Sequence, residues 1–188
     1  MATRRGLVAL GGALVIAAAS PQARAAANGG LSKLRETPEG RPIPAGLVFL
    51  DAEGCETSFD AFRGRGLVVN FWATWCPPCV AEMPSLDRAQ ALLESERITI
   101  LPLSSDRGGR AQVEPFYARL RLGKLGIWLD RRGAVGRALG IRGLPSTILL
   151  NRAGREVARL EGEAEWDHPA LLAAVRRLAG AGTAAPDR

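Results

Sequence analysis

The chain has 188 residues, of which 47% are apolar and 23% charged, with a formal net charge of +6. That balance suits one globular domain of ordinary size with appendages and excludes a disordered chain. The later charges alternate in sign, as in "DRGGRAQVEPFYARLRLGK", and no recognition motif accompanies them, so a solvated surface is expected and no nucleic-acid partner.

Three of the net positive charges belong to residues 1–25, which hold Arg4, Arg5 and Arg24 and no acid. The basic tip, the uncharged run Gly6–Ala19 and the small residues after it have the layout of an export signal. Ala23-Arg24-Ala25 fits an A-x-A cleavage pattern with the cut before Ala26. The run of 14 residues is shorter than the roughly 20 that span a bilayer. Cleavage is the first expectation and retention as a membrane tether the alternative. Thr3-Arg4-Arg5-Gly6-Leu7 also loosely resembles a twin-arginine signal. Either route takes the main domain to an oxidising compartment, which matters for its thiols.

Residues 26–41 mix Gly, Pro and charge without periodicity and read as a linker; the folded domain is placed at 42–180 and a flexible tail at 181–188. "GLVFLDAEGCETSF" (46–59) suggests a β-hairpin around Asp51–Glu56, and "FDAFRGR" a turn of helix. "GLVVNFWA" (66–73) is a continuous β-branched and aromatic run, hence a buried central strand. "CVAEMPSLDRAQALLESE" has helical spacing through Val80, Met83, Leu86 and Ala89, with a kink expected at Pro84.

"RITILPLSSD" (97–106) reads as a second buried strand and "AQVEPFYARLRL" as a helix. A short strand ("LGIWLD") and a short helix ("RGAVGRALGI") follow. "STILLN" and "VARLEG" form an antiparallel hairpin. "DHPALLAAVRRLAG" (167–180) closes the chain as a helix with Asp167 as its N-cap and His168 at its surface. The order β-α-β-α then β-β-α predicts an α/β sheet with parallel strands extended by antiparallel ones.

Two of the three cysteines fall in "NFWATWCPPCVAEMP" (70–84). A zinc site needs four ligands, and beyond Cys76 and Cys79 the chain offers only Cys55 and His168, both isolated. A disulfide closing so short a loop removes little entropy from the unfolded chain, so a structural staple is disfavoured. A redox pair fits best. Cys76 falls near a helix N-terminus, where free N–H groups and the macrodipole favour a thiolate. Cys79, one turn on, is expected to be more buried and to keep its proton. Pro77 and Pro78 limit how far the sulfurs separate. Glu82, three residues past Cys79 on the same helix face, is either a proton acceptor for Cys79 or a surface residue in a salt bridge.

The strand, the W-x-x-W-C-x-x-C segment, the helix with a proline five residues past the second cysteine, and the later "LPSTI" together resemble the thioredoxin fold. More closely, they resemble its TlpA/ResA/CcmG group of exported thiol–disulfide oxidoreductases. The resemblance implies an α/β thioredoxin-like fold, a central mixed β-sheet flanked by helices, with an N-terminal β-hairpin extension. It implies that Cys76 attacks, Cys79 resolves, and Glu82 tunes them, in line with Asn70 standing where thioredoxin has a buried acid. It also implies a cis bond before Pro145. Leu144 would offer its backbone to an extended client, and Trp75, Pro77 and Pro78 would flank the thiols. Trp72 is either a second part of that apolar wall or core packing.

By the same resemblance no cofactor and no metal are needed. The clients would be disulfide-containing proteins, apocytochrome c or copper-site assembly proteins, and the electron donor a membrane protein of the CcdA/DsbD type. The location would be periplasmic, soluble or tethered to the inner membrane. "EGEAEW" (161–166) leans toward the TlpA branch. Cys55 departs from the group's pattern and reads as incidental. The competing functions are a disulfide oxidase or isomerase of the same fold and a Cu(I)-binding chaperone, whose wider cysteine spacing and nearby histidine are lacking. A peroxidase fits less well, because the upstream proline and threonine are missing around Val69–Ala73.

Overall fold

The structure, a computed structural model, describes residues 28–181. The expected export signal at 1–25 and nearly all of the tail at 181–188 lie outside them. Twelve principal elements follow in order: β1 (Leu34–Pro42), β2 (Val48–Leu50), β3 (Glu56–Ser58), β4 (Gly66–Trp72), α1 (Pro77–Leu93), β5 (Ile98–Ser104), α2 (Arg110–Leu120), β6 (Trp128–Leu129), α3 (Ala134–Ala138), β7 (Ser146–Leu150), β8 (Arg155–Glu161) and α4 (Pro169–Ala179). They form one sheet in the order β1-β8-β7-β4-β5-β6-β2-β3. β4, β5 and β6 run parallel, and the remaining neighbours pair antiparallel. This is the mixed sheet of the thioredoxin-like fold.

β4 is buried over its whole length, so alternation cannot show in its sequence. Its side chains still divide between two cores. Val68 and Trp72 join Met83, Leu86, Phe116 and Leu171 from α1, α2 and α4. Leu67, Val69 and Phe71 join Phe49, Leu103, Val135 and Leu139 on the opposite face. Asn70 shares the α1 side with Val68 and Trp72, and this places a polar group under that helix.

β6 begins opposite Leu103, so the preceding part of β5 has no strand on that side. The Ile100 N–H there donates to Gln90 Oε1 of α1 at 2.6 Å. Pro102, two residues on and facing the same way, has no N–H to satisfy. Gly66 starts β4 against the end of α4. A Cβ on it would lie 2.4 Å from the Ala179 carbonyl oxygen, backbone that cannot step aside. Gly66→Ala is expected to destabilise the domain by about 1–3 kcal/mol, read as a lower urea midpoint at unchanged slope.

Two local expectations need correction. Residues 34–42, most of them in the stretch read as linker, form an edge strand. β1 pairs with β8 through its backbone across a bulge between Glu36 and Arg41. Its side chains are mostly exposed, so no apolar alternation marks it. The α4 N-cap is His168, whose Nδ1 accepts from the Ala170 N–H at 3.2 Å. Asp167 is drawn away to the Arg88 guanidinium of α1. Of the two readings of Trp72, core packing is the one realised, since it is fully buried against Phe116 and Tyr117.

Candidate active site

At the C-terminal end of β4 the chain turns into α1, and Cys76 is the N-cap of that helix. Pro77 and Pro78 occupy the first two helical positions, where their missing N–H groups cost nothing. The first free amide is therefore that of Cys79, and it donates to Cys76 Sγ at 3.3 Å. The next, Val80 N–H, donates to the Cys76 carbonyl and not to its sulfur. Cys76 and Cys79 are joined by a disulfide with Cα atoms 5.3 Å apart. Cys55 is a free, exposed thiol in the β2–β3 turn.

The two sulfurs are placed unequally. Cys76 lines an open depression of about 570 Å³ together with Trp75, Pro77, Pro78, Phe71 and Leu144. Trp75 is 67% exposed at its rim and Cys76 only 5%, whereas Cys79 is wholly buried and does not reach the lining. The loop before Cys76 is tied down by Asp106. Its carboxylate accepts from the Thr74 N–H (2.9 Å), Thr74 Oγ1 (2.8 Å), Ser104 Oγ (2.8 Å) and Gln112 Nε2 (2.7 Å). No sequence motif announces that network, because its four residues come from three separate segments.

The Leu144–Pro145 peptide bond is cis. Pro145 is buried beside the pair's depression without lining it, and its carbonyl accepts from the Gly162 N–H at 2.9 Å. Leu144 does line the depression. Among the described residues neither its N–H nor its C=O has a hydrogen-bond partner, so both are free to pair with an incoming strand.

Glu82, one turn past Cys79 on α1, is 3% exposed. Its Oε1 accepts from Asn70 Nδ2 at 2.8 Å, and Oε2 accepts from the Ala164 N–H and Trp166 Nε1 at 3.1 Å each. Burial pushes its pKa up to about 7, against the opposing pull of these three donors, Asn70 first. The surface salt-bridge alternative is thereby removed. Glu82 also edges a separate depression of about 630 Å³ with Gly30, Lys33 and Glu163.

Asn70 Nδ2 donates a second bond, to Thr147 Oγ1 at 2.9 Å, which fixes the amide between β7 and α1. Ala164 and Trp166 are the partners that sequence reasoning missed. Their signal was present, since both lie within "EGEAEW", a stretch noted only for its resemblance. Because all three donors face Glu82, Trp166→Phe is expected to raise its pKa further, measurable by carboxyl-resolved NMR titration.

The Redoxin family pattern matches residues 38–175. The thiol-disulfide oxidoreductase ResA of Bacillus cereus is 30% identical over 135 residues, covering 72% of this chain and 76% of that protein. ResA of Geobacillus thermodenitrificans is 34% identical over 109 residues, covering 58% of this chain and 62% of its own length. A crystal structure assigned to a thiol:disulfide interchange protein DsbE of Chlorobium tepidum superposes with a TM-score of 0.63 at 22% identity. It covers 74% of this chain and 99% of that one, and shows the shared fold. The chain belongs to the Redoxin family, as a thiol–disulfide oxidoreductase of the ResA/CcmG type with a disulfide-bonded cysteine pair.

Proposed function

We propose that the protein is an exported reductase of disulfides in selected client proteins. The observation that carries this reading is the unequal placement of the sulfurs, Cys76 in the wall of an open depression beside the unpaired Leu144 backbone and Cys79 sealed beneath it. In the reduced form the Cys76 thiolate, favoured at the helix N-cap, attacks one sulfur of a client disulfide. A mixed disulfide forms, and the client's other sulfur leaves as a thiolate and takes up a proton. Cys79 gives its proton to Glu82 and attacks Cys76. The second client sulfur departs and is protonated in turn. The client gains two electrons from the thiols and two protons, one equivalent to that released by Cys79 and one from water, and the Cys76–Cys79 disulfide remains.

Trp75, Pro77, Pro78 and Leu144 form the surface that receives the client chain, and Pro145 holds Leu144 in position. A membrane electron donor of the CcdA/DsbD type restores the dithiol. The clients are apocytochrome c or copper-site assembly proteins of the respiratory chain, with "EGEAEW" supporting the latter. The signal-like residues 1–25 support a periplasmic site of action. Among the described residues no helix is long and apolar enough to cross a membrane.

Titration against glutathione tests the direction of transfer. A reductase is expected to have a potential below about −200 mV, in the range of thioredoxin and the glutaredoxins. A value near −120 mV would make the protein an oxidant.

A further inference from the structure

The depression at Cys76 continues into a second one of about 1210 Å³, the two sharing Trp75, Ser105, Asp130 and Gly133 in their walls. Together they are lined by five exposed arginines: Arg107, Arg131, Arg132, Arg137 and Arg142. Among the described residues none of the five guanidinium groups is in an ion pair, although Arg131 and Arg137 donate to the backbone carbonyls of Arg107 and Arg132. The acids of the same walls do little to answer them. Asp106 is committed to the Thr74 loop, and Asp130 is buried, accepting from the Ala134 and Gly136 amides at the start of α3. Glu56, on β3, is the exposed acid.

Four of the arginines come from three connections that converge on the site, and Arg137 stands on α3. Arg107 follows β5, Arg131 and Arg132 follow β6, and Arg142 immediately precedes Gly143 and Leu144. Like charges gathered around one opening repel each other, and a concave wall of one sign focuses its field into the space above. We propose that this arginine-lined surface selects clients whose target disulfide is flanked by acidic residues. The extended client pairs with Leu144 while its Asp and Glu side chains lie against the arginines. This rests on the reductase reading above and adds the chemistry of the client segment.

The test uses three peptides, each with one intrachain disulfide, flanked by Asp/Glu, by Ser or by Lys. The second-order rate of reduction by the reduced protein is followed by acid quench and alkylation. At about 20 mM ionic strength the acidic peptide is expected to react about tenfold faster than the basic one, with the neutral peptide between them. The ratio should fall toward one in 0.5 M NaCl. It should also fall in the Arg107→Gln/Arg132→Gln/Arg142→Gln variant. Arg35→Gln, on the far edge strand, should leave it unchanged. Equal rates for all three peptides at low salt would overturn the proposal while leaving the reductase standing. No reduction of any peptide would instead remove the reductase reading and the proposal with it.

Discussion

Replacing Cys79 with serine is expected to stop turnover and leave the protein covalently joined to its client. The Cys76 thiolate still attacks, but a serine hydroxyl cannot displace the client sulfur, so the mixed disulfide accumulates. In non-reducing electrophoresis of cell extracts, Cys79→Ser should therefore show adducts that collapse on addition of dithiothreitol. Cys76→Ser should show none, because Cys79 is wholly buried and has no access to a client. Catalysis should be lost in both, so it is the adducts that separate the two roles. Mass spectrometry of the adducts would name the clients. Adducts formed equally by the two variants would contradict the ordered mechanism.

The second large effect is expected at Glu82. Its pKa stands at about 7 in the folded protein because burial disfavours the anion, whereas an unfolded glutamate titrates near 4.5. Below about pH 4.5 the group is protonated in both states and carries no penalty. As pH rises toward 7 the unfolded chain ionises first, so the folded state progressively loses stability, by roughly 3 kcal/mol once pH passes 7. Glu82→Gln cannot ionise. Its stability should lack this decline between pH 4.5 and 8, while the amide's poorer match to three donors costs about 1–3 kcal/mol throughout. Urea denaturation across that range measures the slope. If Glu82 takes the Cys79 proton, the same variant should resolve mixed disulfides about 100-fold more slowly and lose an inflection near pH 7. A wild-type rate with an intact inflection would leave Glu82 a structural residue.

How much of this was legible in the sequence differs from residue to residue. The strand–CxxC–helix junction was readable because all its determinants are local: a β-branched run, two prolines where a helix can accept them, and a 3.6-residue apolar repeat. The cis bond before Pro145 was reachable only through resemblance, since about 5–6% of X–Pro bonds in folded proteins are cis. β1 left no pattern because most of its side chains are in water, and it is held by its backbone ladder to β8, the buried Leu34 and the ion pairs Glu36–Arg177 and Arg41–Glu156. Asp167 and His168 are both able to cap α4. The choice was made by Arg88, 79 residues away. The same holds for Glu82: Trp166 lies 84 residues on, and only the fold brings its indole N–H to the carboxylate.

Everything in the mechanism depends on Cys76 being the accessible sulfur and Cys79 the sheltered one. The most direct check is to reduce the protein, treat it with substoichiometric iodoacetamide at pH 7 and locate the label by peptide mass spectrometry. Modification of Cys76 at least tenfold faster than Cys79 is the expected result. Labelling of both at the same rate, or of Cys79 first, would contradict it.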